Sequence, residues 1–214
     1  MLNDIIFNQD KSAYIDWNIV LVKAIIPLPL PKTSGVDIKG ADGLLDLTEA
    51  TGDIKYQNRT CKLTFELMDT SNYDDLISEI SNYLHGKNIS FTKTNDNNFY
   101  YYGRASINDW ECSGQKGTIV ITIDAEPYKY EVNVSTQTAI VNGVNEIVII
   151  PNLRKRICPV LEVTGTVTMI FDGVEYTLNE GIQQIVSFTL YEGDNTVIFN
   201  GNGTVKITYR RCSL

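Results

Sequence analysis

The chain has 214 residues, 43% hydrophobic and 21% charged, an ordinary balance for a globular protein that can bury a sizeable core. A net charge of −8 and a pI near 4.7 argue against nucleic acid as the main partner, because phosphate binding calls for a basic stripe. Four cysteines without a CxxC pair argue against a zinc site and read as free thiols, and a single histidine excludes a His-centred triad or a multi-His metal site within one chain.

The N-terminus, MLNDIIFNQDK, lacks the basic n-region and apolar run of a leader peptide, so the expectation is a chain made and folded in a cytoplasm. No run of about 18 apolar residues predicts a membrane span. Ile5, Ile6 and Phe7 predict a short strand, and Asn8 to Asp10 a turn. Trp17 to Ile26 is apolar and β-branched, which predicts a buried strand. Pro27, Pro29 and Pro31 end it and predict a stiff, extended connector rather than an SH3-type ligand.

Val36 to Leu67 reads as turn, polar elbow, turn, then strand, punctuated by Gly40, Gly43 and Gly52. Leu63, Phe65 and Leu67 alternate with Lys62, Thr64 and Glu66, the period of a half-buried strand. Asp42, Asp46, Glu49 and Asp53 form the densest acidic group, among glycines and threonines, and read as turn and subunit-contact residues.

Ser71 to Gly86 is the one clear helix. Ser71 or Asn72 is placed to cap it, Asp74 and Asp75 suit its positive end, and Gly86 follows as the terminating residue. Tyr73, Leu76, Ile77, Ile80 and Leu84 give a single apolar stripe. His85, at the end of this helix, is expected to interact with its last carbonyls. Strands follow at Lys87 to Phe91, Phe99 to Arg104, Ile107 to Trp110 and Thr118 to Ala125, and Pro127 marks the exit from a first domain.

From Val132 to Tyr209 short strands recur with turn signals between them, which predicts an antiparallel β-sandwich. Val132 to Val134 and Gln184 to Leu190 are among these strands. Asp172-Gly173 predicts a two-residue hairpin, and Asn200 to Gly203 a second tight turn. Arg154 to Arg156 and Arg210-Arg211 read as solvated surface.

No Walker A, GxGxxG-plus-helix or GxSxG motif is present, and Asn95 to Asn98 lacks the spacing of a calcium loop. Two other readings stay open beside a structural role. A carboxylate pair among the acidic residues would make the chain a glycosidase-style enzyme. An exposed cluster of Tyr176, Tyr191 and Tyr209 would make the sandwich a carbohydrate-binding module recognising a host cell wall.

A series of blocks resembles the distal tail protein (Dit) family of tailed phages and prophages of the Gram-positive type. They are Phe7-Asn8, the proline connector before Val36, Gly40 to Glu49, Tyr56 to Thr60, Tyr83 to Lys87, Tyr101 to Arg104 and Ala125 to Tyr130. The resemblance implies a mainly β structural protein, not an enzyme, without cofactor or metal. Residues 1–130 would form an N-terminal β-barrel or sandwich domain with one α-helix, assembling into a hexameric ring. Residues 131–214 would form a galectin-like β-sandwich. The ring would sit at the virion tail tip, joining the tail tube protein to a tail-associated lysin, tail fibre or receptor-binding protein, with no nucleic acid binding and no membrane insertion. Asp46, Thr48, Glu49, Tyr56 and Arg59 are expected at or near the ring interface, on an extended arm that reaches a neighbouring copy.

Overall fold

A computed structural model describes residues 4–50, 52–114 and 116–214; residues 1–3, on which the leader reading partly rests, lie outside the described residues. The chain divides into two compact units, one up to Lys129 and one from Tyr130 to Ser213. The fold is mainly β with antiparallel sheets, as the sequence predicts.

The first unit opens with β1 (Ile5–Phe7) and β2 (Lys11–Ser12) around a turn in which Asn8 and Gln9 take positive φ. A short helix follows, α1 (Ala13–Trp17), in a stretch where none is expected beyond the start of a strand at Trp17. Its signals are local: the Ser12 hydroxyl accepts from the Ile15 amide, and Asn18 ends the turn at φ 53. The strand after it, β3 (Ile19–Ile25), is not buried as expected. Only Ile19 is in the core, because β3 is the edge of its sheet and Val22 and Ile25 face solvent. An apolar run alone cannot distinguish an edge strand from a central one.

An arm holds β4 (Gly35–Asp37) and β5 (Leu44–Asp46) and leads into β6 (Arg59–Leu67), whose alternation matches the sequence reading. The long helix, α2 (Tyr73–Leu84), buries Ile80 and Leu84 and ends at Gly86 with φ 75. Asn72 occupies its N-cap position, but its side chain makes no capping bond. The remaining strands are β7 (Asn88–Lys93), β8 (Phe99–Ser113) and β9 (Lys116–Ala125), with a 3-10 turn at Thr94–Asp96. The sheet runs β2-β1-β7-β8-β9-β6-β3 and closes with α2 over one core, which includes Phe7, Trp17, Phe65, Ile80, Phe91 and Ile121. His85 is the C-cap of α2, as its position suggests, and meets the helix carbonyls through its backbone, whose amide donates to the Ser81 carbonyl (2.9 Å), while its ring leaves them. It turns to β8, where the Ile107 amide donates to its Nδ1 (3.1 Å) beside a bulge between Ile107 and Asp109.

A short strand, β10 (Lys129–Glu131), crosses the boundary between the units, and the second unit then contains β11 (Ser135–Asn152), β12 (Val160–Phe171), β13 (Val174–Leu178), β14 (Gly181–Gln184), β15 (Gly193–Tyr209) and β16 (Cys212–Ser213). Val174 to Leu178 is a strand as expected, six of the other short strands expected here are halves of three long ones, β11, β12 and β15, and residues 132–134 and 185–190 are not strand. Asp172 and Gly173 both have positive φ and turn β12 into β13, the expected hairpin. Asn200 to Gly203 is not a turn. It lies inside β15, where Gly203 stands beside Gly165 of β12 and Gly201 beside Gly143 of β11. A Cβ on Gly203 would sit 2.0 Å from the Thr164 carbonyl oxygen, and one on Gly165 or Gly201 would meet a backbone oxygen almost as closely, so these three serve a close backbone approach where long strands bend. Leu161, Val163, Val205 and Ile207 on one side of that corner share a core with Met169, Phe171, Val197 and Phe199 on the other. The two halves of the sheet therefore make two layers.

Candidate functional site

Between β3 and β6 the chain leaves its own sheet and returns. The outgoing leg pairs with the returning leg: the Gln57 amide donates to the Leu30 carbonyl (2.8 Å) and the Lys32 amide to the Lys55 carbonyl (2.7 Å). Pro31 faces Tyr56 in an antiparallel bridge. Further out β4 and β5 pair, with Gly35 opposite Asp46, Val36 opposite Leu45 and Asp37 opposite Leu44. The tip turns through Gly40 and Gly43, at φ 92 and 77, angles a side chain disfavours.

This register sorts the side chains by face. Val36 and Ile38 share a face with Leu45 and Leu47, while Asp37, Leu44 and Asp46 take the other. The four aliphatic residues are between 38% and 51% exposed. They belong to neither buried core of the chain. A two-stranded ribbon with a bare apolar face is marginal on its own. The signal for it is present in the sequence as two short alternations, V-D-I and L-D-L, flanking a glycine turn.

Three of the five predicted interface residues come together at an elbow in the returning leg. The Leu47 carbonyl accepts from the Ala50 amide and the Glu49 carbonyl from the Gly52 amide, a pair of tight turns. Asp46 accepts from the Thr48 amide (2.8 Å), and the Thr48 hydroxyl accepts from the Ser34 amide (3.1 Å), which ties the elbow to the opposite leg. The Thr48 side chain and then its amide hold the Asp46 carboxyl below the usual range. Asp46, Thr48 and Glu49, with Pro31, Thr33 and Ile54, line an open depression of about 400 Å³. Among the described residues no three His, Cys, Asp or Glu side chains gather to hold a metal ion.

Tyr56 and Arg59 lie elsewhere, at the root of the arm. The Tyr56 ring meets Tyr128 edge-on at 5.9 Å. Arg59 opens β6, is 4% exposed, and lies over the Tyr101 ring with its guanidinium carbon 4.9 Å from the centroid. Its Nη1 reaches the Pro27 carbonyl on the outgoing leg at 3.5 Å. Its Nε and Nη2 are buried with no hydrogen-bond partner.

No protein-family model matches the chain, and no curated protein matches it. Among solved structures it is similar to the crystal structure of the Dit protein (gp 19.1) of SPP1, described as a paradigm of the hub adsorption apparatus in phages that infect Gram-positive hosts. The TM-score is 0.64 at 15% identity, over 98% of this chain and 99% of that one. This chain has the fold of SPP1 Dit. At that identity the likeness to Dit is one of backbone path.

Within this Dit fold Tyr176, Tyr191 and Tyr209 do not form a platform. Tyr209 is buried and donates its hydroxyl to the Pro151 carbonyl (2.8 Å). Tyr176 packs partly buried against the core. Tyr191 stacks on Phe171 and carries the Arg156 guanidinium 4.9 Å from its centroid, while buried Asn195 and Asn152 hold its backbone. The basic side chains expected as free surface are engaged likewise: Arg154 pairs with Glu192, and Arg211 with Glu131. No helix among the described residues is long and apolar enough to cross a membrane.

Proposed function

We propose that this protein is a structural component of a phage virion, placed at the distal end of the tail. One observation carries the reading: the likeness to SPP1 Dit spans both chains almost end to end, so both units take part in the match. In this reading residues 1–130 form the ring and residues 131–214 a galectin-like module. The ring holds six copies, a number that comes from the family resemblance. It joins the tail tube protein on one side to a tail-associated lysin, tail fibre or receptor-binding protein on the other. The protein acts by assembly and not by catalysis.

The arm supports this reading. A ring closes by heterologous contacts, in which one patch of each copy meets a different patch of the next. The aliphatic face of Val36, Ile38, Leu45 and Leu47 is such a patch, with Asp46, Thr48 and Glu49 at its border and Tyr56 and Arg59 at its root. Negative-stain microscopy of the purified chain, with light scattering for mass, tests the proposal. Six-fold rings are the expected result; a chain that stays monomeric at high concentration argues against it.

A further inference from the structure

Arg59 is the least satisfied group in the first unit. Taking a guanidinium out of water without partners costs several kcal/mol, so an arginine this deep is normally paired. Here the pairing is incomplete in a specific way. Nη1 reaches the Pro27 carbonyl, while Nε and Nη2 have no partner. Those two atoms are one complete edge of the planar fork, the edge that takes both oxygens of a single carboxylate. Pro27 lies on the outgoing leg of the arm and Arg59 follows the returning leg, so the Nη1 bond joins the two legs at the arm's root and leaves the other edge unused. Burial lowers the affinity of Arg59 for its proton, and the nearby Tyr101 and Cys61 oppose that.

We infer that the Nε/Nη2 edge of Arg59 is a donor pair completed in the assembly, where it donates to a carboxylate of the acidic elbow of a second copy. This deepens the ring reading and rests on it. The charges are complementary: the elbow carries Asp46 and Glu49 on an exposed depression, and the chain as a whole is acidic. Neither carboxylate pairs with Arg59 within one chain. Glu49 is the stronger candidate, because Asp46 is engaged by Thr48. The ion pair joins two residues of the same predicted set that a single chain keeps apart, and it makes the root of one arm sense the elbow of another.

The test is a double-mutant cycle on self-association of the full chain, read by analytical ultracentrifugation. Arg59→Met and Glu49→Gln should each weaken association about thirtyfold or more, because each leaves a buried charge or donor unpaired. The double variant should be no weaker than Arg59→Met alone. Arg59→Met should also unfold no earlier than wild type as a dilute monomer, since an apolar isostere removes an unpaired charge. Glu49 is exposed, so Glu49→Gln keeps the test open should Arg59→Met fail to fold. If wild type associates and either single variant associates equally well, or if the two effects simply add, the inference is overturned and the ring reading stands. A wild type that never associates overturns both.

Discussion

Cys61 is fully buried on β6, whereas Cys112 is exposed. Burial pushes the Cys61 thiol up to about 11, against a smaller lowering by the Arg59 guanidinium. A thiol reagent at pH 8 should therefore label Cys112 quickly and leave Cys61 untouched until the chain unfolds. The unfolded thiol loses its proton near 9.0, and the folded one holds it to about 11. The stability from keeping Cys61 neutral is full below pH 9 and gone above pH 11. Urea midpoints of wild type and Cys61→Ala should converge across that window. A constant gap between them would mean that Cys61 ionises in the folded chain as it does in the unfolded one.

At the scale of elements, the structure separates signals that are local from those that are not. The α2 helix was legible because its stripe and its terminal Gly86 lie within one segment, and the β12–β13 hairpin because Asp172-Gly173 sets its own turn. Asn200 to Gly203 has the same turn chemistry and the opposite role, because its glycines answer to strands far away in sequence. The arm was half legible: its acidic elbow stood out, while its aliphatic face required the pairing of Val36 with Leu45 to be known. The depth of Arg59 was legible only by phase: the β6 alternation puts it on the face of Cys61, Leu63, Phe65 and Leu67, while its residue type reads as surface. The glycine corner can be tested directly. Gly203→Ala should cost about 3 kcal/mol, at the upper end for overpacking, because the obstacle is a backbone oxygen that cannot rotate away. Gly173→Ala meets no atom and carries only the strain of its positive φ, so it should cost about 1 kcal/mol. Equal costs at the two positions, measured by urea unfolding, would remove the close approach as the reason for the corner.

For the whole molecule the question is what keeps an apolar ribbon exposed in an otherwise ordinary protein. Each unit buries its own core, and the ribbon contributes to neither. Its exposed aliphatic face does not stabilise the single chain, so replacing it should leave the monomer almost unchanged, within about 0.5 kcal/mol. Its contribution should appear when copies meet. An assembled state that buries the ribbon is favoured by mass action, by about 2.7 kcal/mol at a hundredfold excess of chain over the dissociation constant, or roughly 5–10 °C in Tm for a chain of this size. The Tm of wild type should therefore climb with concentration. Leu45→Asp combined with Leu47→Asp puts two carboxylates on that face beside Val36 and Ile38, which they would have to bring out of water on docking. The Tm of this variant should be flat with concentration and should coincide with wild type at high dilution. If the variant melts lower at every dilution, the ribbon stabilises its own chain. If both proteins climb together, assembly uses another surface, and the open edge of β3 with Val22 and Ile25 is then the next one to alter.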